Sequence, residues 1–372
     1  MQIRQLDGNG HFHDVARKSD FGQRIRNACI IGSSTFEVSS VGDSMPPSQM
    51  HDGNGDVSML DVFGPELIPP QFILLVMESG DLTFLSARNM GKDVKFITSH
   101  HKVLHRGSTE PPGTHLKVDP SYRYVAVASS EISFAIYCLK SKEELRMQRL
   151  HGEPFHHIAS EHHLHRRGVI HKMEFLYPAA DDPDHIILVL LVVRNGSTAM
   201  FVYEWEAGQN LTEIRSNNLK GYTLPPSCRM PLLLIPLTIM SAILFVSSES
   251  IMECHNLLEG SPTFQVIPQP EFTVSPFHLG VGVPLWTAWT RPLRHPRYSK
   301  SHDDIYMARE DGFIAFLEIV SDSTILVQTA TAAGNFGSHI GTAFNNLELA
   351  PDGMDFLITG GDSCDGGSYL VL

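Results

Sequence analysis

A β-rich apolar run, a short polar or glycine-containing turn and a second apolar run recur six times along the chain. This self-similarity limits the fold more than any other feature. Ile73–Ala87 turns at Ser79-Gly80-Asp81, Tyr124–Leu139 near Ser130-Glu131, and Ile186–Trp205 at Asn195-Gly196. Ile243–Leu257 turns near Ser248-Glu249, Ile305–Ile319 at Asp311-Gly312, and Phe356–Leu372 through Asp362 to Gly367. Asn-Gly and Asp-Gly accept the positive φ of tight hairpins, and the flanking Val, Ile, Phe and Tyr suit a pleated surface. The starts lie about 50 to 63 residues apart, which suits propeller blades with their loops better than a sandwich.

Dividing 372 residues by about 53 per blade predicts an all-β fold: a β-propeller of about seven blades, each a four-stranded antiparallel sheet, with the ring incompletely closed. Residues 1–372 are read as one partial propeller domain. Asn27–Ser40 is expected to supply strands for another blade, and Ser141–His151 is the best helical candidate. Residues 41–70, rich in Gly, Pro, Asp, Ser and Met, read as a flexible insertion. Val283–His302 reads as a locally basic loop, and residues 151–171 as a His-rich loop between blades.

Met230–Val246 carries no charge, yet it falls short of the roughly 20 apolar residues of a membrane span, and Pro231 and Pro236 would disturb a helix. Two buried strands parted at Pro236 account for it, so the chain reads as soluble. The net charge of −13 speaks against a surface built to neutralise phosphate or anionic lipid. The five cysteines (Cys29, Cys138, Cys228, Cys254 and Cys364) are scattered and odd in number, which fits reduced thiols of cytosol or nucleus.

The densest chemical feature is the run from His151 to His171. It holds His156, His157, His162, His163 and His165 between those two, with Glu153 and Glu161. Such imidazole density could bind zinc or nickel. The irregular spacing, the absence of thiols and Gly152 and Pro154 favour a solvated loop with histidines titrating near neutral pH. Asp7–Gly10 and Asp52–Gly55 lack the alternating ligands of a calcium loop and read as turns. Gly360-Gly361 and Gly366-Gly367 form no phosphate-cradling motif and read as hairpin turns. Asp181-Asp182 and Asp303-Asp304 read as solvated carboxylates just before strands.

No nucleophile elbow and no Ser/His/Asp or Cys/His constellation is visible, so no catalytic, cofactor-binding or metal residue is assigned and no cofactor is expected. Arg166-Arg167 and Arg291–Lys300 are the stretches that would touch nucleic acid directly. A propeller hydrolase would need polar residues converging at a central pocket.

Several strings, in order, carry a resemblance: Leu116–Leu139 with Asp119-Pro120 and Arg123, Val169–Pro178, Leu233–Asn256, Arg309–Ile319 and Ile340–Leu372. Together they resemble the first propeller of the cleavage and polyadenylation specificity factor A-subunit family. That family also includes the large damaged-DNA-binding subunit and the fungal methyl-methanesulfonate-sensitivity adaptor. The resemblance implies a nuclear, non-catalytic scaffold, from a fungal member, docking proteins of a cullin–RING ubiquitin ligase in DNA repair or of a pre-mRNA 3′-processing or splicing complex. Direct nucleic-acid binding and a hydrolase are the alternatives. Family members are much longer, and strands seem to be missing ahead of Gln2–Gly22, so a truncated chain is expected.

Overall fold

In the computed structural model the described residues are 2–6, 12–32, 72–89, 94–103, 111–151, 156–238, 241–269, 282–291, 302–310, 313–320, 323–331, 344–349, 356–360 and 368–371. The 41–70 insertion, Asp7–Gly10, Glu153 and the Asp311-Gly312 turn lie outside them. The chain divides into two compact units. One comprises residues 1–127 and 135–161, the other 128–134 and 162–372.

The first unit begins with a two-stranded ribbon, β1 (Gln2–Leu6) and β2 (Phe12–Arg17). A four-stranded antiparallel sheet follows in chain order: β3 (Ile25–Ile31), β4 (Phe72–Met77), β5 (Leu82–Asn89) and β6 (Val94–His101). The segment at Asn27 therefore joins the sheet of the Ile73 hairpin, because Ile30 pairs with Ile73, and does not begin a separate blade. Next come β7 (His115–Val118), β8 (Tyr124–Ala128) and β9 (Glu131–Leu139). The buried Asp119 carboxylate closes the β7–β8 turn by accepting from the Ser121 and Tyr124 amides. A short helix, α1 (Lys142–Leu150), starts on a reciprocal cap. The Glu144 amide donates to Ser141 Oγ at 3.2 Å, and the Ser141 amide to Glu144 Oε2 at 2.7 Å.

The strand after α1, β10 (Ile158–Leu176), is 19 residues long and, like β9, runs from one unit into the other. The His-rich segment is thus mainly strand from Ile158 onward. A strand needs only alternation, and here His163, His165, Arg167 and Val169 share one face while His162, Leu164, Arg166 and Gly168 share the other.

In the second unit the later half of β10 pairs with β11 (His185–Arg194), which pairs with β12 (Ser197–Glu206) and then β13 (Tyr222–Thr223). Three further antiparallel sheets follow in chain order. The first holds β14 (Leu233–Pro236), β15 (Ile243–Val246), β16 (Ile251–His255) and β17 (Thr263–Val266). The second holds β18 (Trp286–Thr290), β19 (His302–Arg309), β20 (Phe313–Val320) and β21 (Ser323–Thr331). The third holds β22 (Phe344–Leu349), β23 (Phe356–Gly360) and β24 (Ser368–Val371). With β10 serving both of its neighbours, the described strands form seven consecutive groups.

Each expected hairpin has its two paired strands, with the turns at Asp311-Gly312 and from Asp362 to Gly367 outside the described residues. Asn195 (φ 48°) and Gly196 (φ 78°) are both left-handed, as a two-residue type I′ turn requires. The Met230–Val246 run is two buried strands, with Pro236 the last residue of β14, and no helix among the described residues is long and apolar enough to cross a membrane. Leu188, Leu190, Ile243 and Phe245 are fully buried, at roughly 1.5–3 kcal/mol of transfer free energy per side chain. The stretch expected as a basic loop after Val283 contains β18, anchored because Trp286 and Ala288 are core residues.

Candidate functional site

Three turns of the second unit, β8–β9, β11–β12 and β15–β16, are linked through the β10 backbone and the Ser227–Met230 segment into one surface, and backbone chemistry puts them there. Strand β10 carries a positive φ at Gly168 (+129°). A Cβ at this position would lie 2.5 Å from Val192 Cγ1 and 2.7 Å from the Val193 carbonyl, so only glycine lets the strand approach β11 so closely. On one side the Ile170 amide donates to the Ser130 carbonyl at 2.9 Å, bringing in the β8–β9 turn. On the other, Arg194 Cβ lies 3.5 Å from the same Gly168 position, at the start of the β11–β12 turn. A Cβ at Gly196 would meet Arg229 Nη2 at 3.1 Å, so that guanidinium lies over the tip. The buried Thr198 hydroxyl fixes the Arg229 backbone by donating to its carbonyl at 2.5 Å. Ser247 and Ser250, at the β15–β16 turn, both donate to the Ser227 carbonyl, at 2.9 and 3.0 Å.

The surface built this way mixes apolar and cationic groups. Val169 is 51% exposed, Met230 47% and Ile132 41%, and Arg167, Arg194 and Arg229 are exposed with them. Ile132 also sits at φ 35°, a backbone region that a β-branched residue enters at a cost of roughly 1–2 kcal/mol. The Ser129 hydroxyl holds that conformation by donating to the Glu131 and Ser133 carbonyls. A strained, solvent-facing isoleucine on a rigid turn is poor for folding and well suited to contact.

The residues singled out in the sequence scatter around this surface. His157 stacks on Phe84 with 4.4 Å between centroids and meets Ser99 Oγ through Nδ1 at 2.8 Å; burial pushes its pKa down to about 4. His101 Nε2 meets Glu161 at 2.8 Å. Burial first, then the Arg215 charge, lowers the pKa of His162. His171 meets the Pro231 carbonyl at 2.8 Å, and burial lowers its pKa. Histidines adjacent in sequence point to opposite faces, and among the described residues no three His, Cys, Asp or Glu side chains gather in a metal-binding group. Of the basic pair, Arg166 is committed to packing, over Phe201 at 4.8 Å and hydrogen-bonded to the Tyr203 hydroxyl, while Arg167 faces solvent. Asp181 and Asp182 are exposed in the loop before β11, as expected.

The expected solvated pair Asp303-Asp304 is a correction. Both residues lie within β19, and Asp303 is fully buried. Its partner is Arg291, whose Nε donates to Oδ1 at 2.7 Å and Nη2 to Oδ2 at 3.1 Å. The Thr238 amide adds a bond to Oδ2 at 2.7 Å, and Arg291 Nη2 donates to the Pro236 carbonyl at 2.6 Å. The guanidinium lies 5.3 Å from the ring centroids of both Tyr177 and Trp289. One arginine thus ties the ends of β10, β14, β18 and β19, three consecutive sheets, and is a structural clamp rather than a nucleic-acid contact. Neither its place at the head of the basic Arg291–Lys300 stretch nor the Asp-Asp spacing signalled this pairing.

Two pockets test for hydrolase chemistry. An open one of about 680 Å³ is lined by Phe21, Gln23, Arg24, Glu78 and Ser79 in the first unit. A smaller one of about 220 Å³ in the second unit has Ser241, His255 and Glu259 on its wall. There the Ser241 hydroxyl donates to the Tyr177 carbonyl at 3.3 Å and His255 meets Glu253 at 3.2 Å, so the two are turned to different partners. The described cysteines (29, 138, 228 and 254) are free thiols, and burial pushes Cys29, Cys228 and Cys254 up to about 12. None is a poised nucleophile at neutral pH.

Consecutive antiparallel sheets built from neighbouring strands in chain order are the repeat of an all-β propeller. The chain belongs to the RSE1/DDB1/CPSF1 first β-propeller family, whose sequence profile matches residues 1–371. The match spans both compact units. Comparison with curated proteins gave no match.

Proposed function

We propose that this propeller is a non-catalytic docking module of a nuclear multiprotein assembly, either a cullin–RING ubiquitin ligase acting in the DNA-damage response or a pre-mRNA 3′-processing or splicing complex. The observation that carries the reading is the hairpin-tip surface of the second unit, where exposed Ile132 and Met230 stand on segments pinned by hydrogen bonds and exposed Val169 stands on β10 beside them. Loops held on a rigid sheet frame are where binding residues concentrate, and exposed apolar groups there gain by being covered. Membership of a family named for RSE1, DDB1 and CPSF1 supports the assembly type. Direct nucleic-acid binding is the second reading, favoured by the exposed Arg167, Arg194 and Arg229.

Short-spacer cross-linking of the tagged chain in intact nuclei, followed by mass spectrometry, tests the proposal. Reproducible cross-links to a defined set of proteins are the expected result. A chain that cross-links only to nucleic acid, or that is excluded from nuclei, overturns it.

A further inference from the structure

The hairpin-tip surface has a charge pattern that selects the chemistry of its partner. Arg167, Arg194 and Arg229 are close together in it: a Cβ on Gly168, next to Arg167, would lie 3.5 Å from Arg194 Cβ, and one on Gly196, two residues on, would lie 3.1 Å from Arg229 Nη2. The exposed carboxylates of the two flanking turns, Glu131 and Glu249, stand at its ends. A cationic centre is unexpected on a chain of net charge −13. The aliphatic side chains are interleaved with it. Val169 is two residues from Arg167 on the same face of β10, and Met230 follows Arg229 directly.

From this pattern we propose that the surface binds a linear segment of another protein in which Asp or Glu residues alternate with aliphatic anchors. The carboxylates pair with the three guanidiniums, and the anchors cover Val169, Met230 and Ile132. Arginine suits this work because its planar fork engages carboxylates bidentately and is weakly hydrated. Nucleic acid fits less well. The three exposed apolar groups are aliphatic, offering no ring on which a base could stack and matching aliphatic anchors instead. The inference rests on the docking role proposed above and adds the partner's chemistry and the residues that read it.

The experiment is selection of displayed peptides on the full chain. It is run beside a triple variant, Arg167→Glu, Arg194→Glu and Arg229→Glu, and beside Val169→Asp, each first shown by circular dichroism and melting temperature to keep the wild-type fold. Should the triple variant fail that check, Arg194→Gln with Arg229→Gln takes its place. Selected peptides are expected to be rich in Asp and Glu spaced by Leu, Ile, Val or Met. The triple variant should weaken them by roughly tenfold or more, and Val169→Asp should weaken them as well. Peptides that are not acidic, no enriched peptides at all, or affinity unchanged in the variants would each overturn the proposal. So would an RNA or DNA oligonucleotide pool whose binding, rather than peptide binding, is lost in the triple variant. The nuclear cross-links separate the two levels. Protein contacts mapping away from residues 129–132, 167–169, 194–198 and 227–230 defeat this inference and leave the docking role standing, whereas no protein contacts at all defeat that role itself.

Discussion

Asp303→Ala removes both carboxylate acceptors of the Arg291 guanidinium and the acceptor of the Thr238 amide, while leaving a cation that is only 11% exposed. Deleting one partner of a buried ion pair costs about 3–5 kcal/mol, most of it from the uncompensated charge that remains. The bond to the Pro236 carbonyl and the Tyr177 and Trp289 faces soften the loss, which places the expected value near 4 kcal/mol, a fall in melting temperature of about 5 °C if the chain unfolds as one unit. Arg291→Leu should cost a similar amount by stranding the carboxylate. The double variant Arg291→Leu/Asp303→Leu should recover much of this, because no buried charge is left unpaired. The assay is a double-mutant cycle by urea unfolding, with hydrogen exchange of β14, β18 and β19 reporting where the loss falls. Single variants costing under about 1 kcal/mol, or costs that add within about 0.5 kcal/mol, would refute the clamp.

Gly168→Ala should destabilise by more than about 2 kcal/mol, since it meets both a forbidden φ and the Val192 and Val193 atoms, and a melting curve matching the wild type would show the close approach to be misplaced. His157 has a folded pKa near 4, below its ordinary value, so the unfolded chain binds the extra proton. Its contribution of about 3 kcal/mol is therefore present at neutral pH and lost as pH falls from about 6.5 to 4. His157→Phe should flatten the pH dependence of unfolding in that window, and an unchanged slope would exclude His157 as its source. Zinc titrated into tag-free protein should leave the melting temperature unchanged. A stoichiometric tight complex abolished by His162→Ala, His163→Ala and His165→Ala would overturn that expectation.

Local chemistry made the hairpins legible. The β-rich runs broken by Asn195-Gly196 or Ser79-Gly80-Asp81 state their own turns, and Ser141 with Glu144 announces a helix start. Spacing of those hairpins was enough to expect about seven blades, and the ordered strings from Leu116 to Leu372 carried the resemblance to the family. The His-rich segment misled because composition reports solubility, while strand formation in β10 depends on a neighbour supplying the ladder, which no local string records. Asp303 misled for the same reason: its burial depends on Arg291, and on Pro236 and Thr238 from another sheet. The docking surface is the furthest from view. Arg167, Arg194, Met230 and Ile132 lie up to about 98 residues apart in the chain and become neighbours only when β10 approaches β11 closely at Gly168 and the turns are drawn together by Thr198, Ser247 and Ser250. Sequence determined the strands, their turns and the repeat, because these follow from nearest neighbours. Only the tertiary structure decided which charges were buried and which were offered to a partner, because desolvation depends on what the rest of the chain places around them.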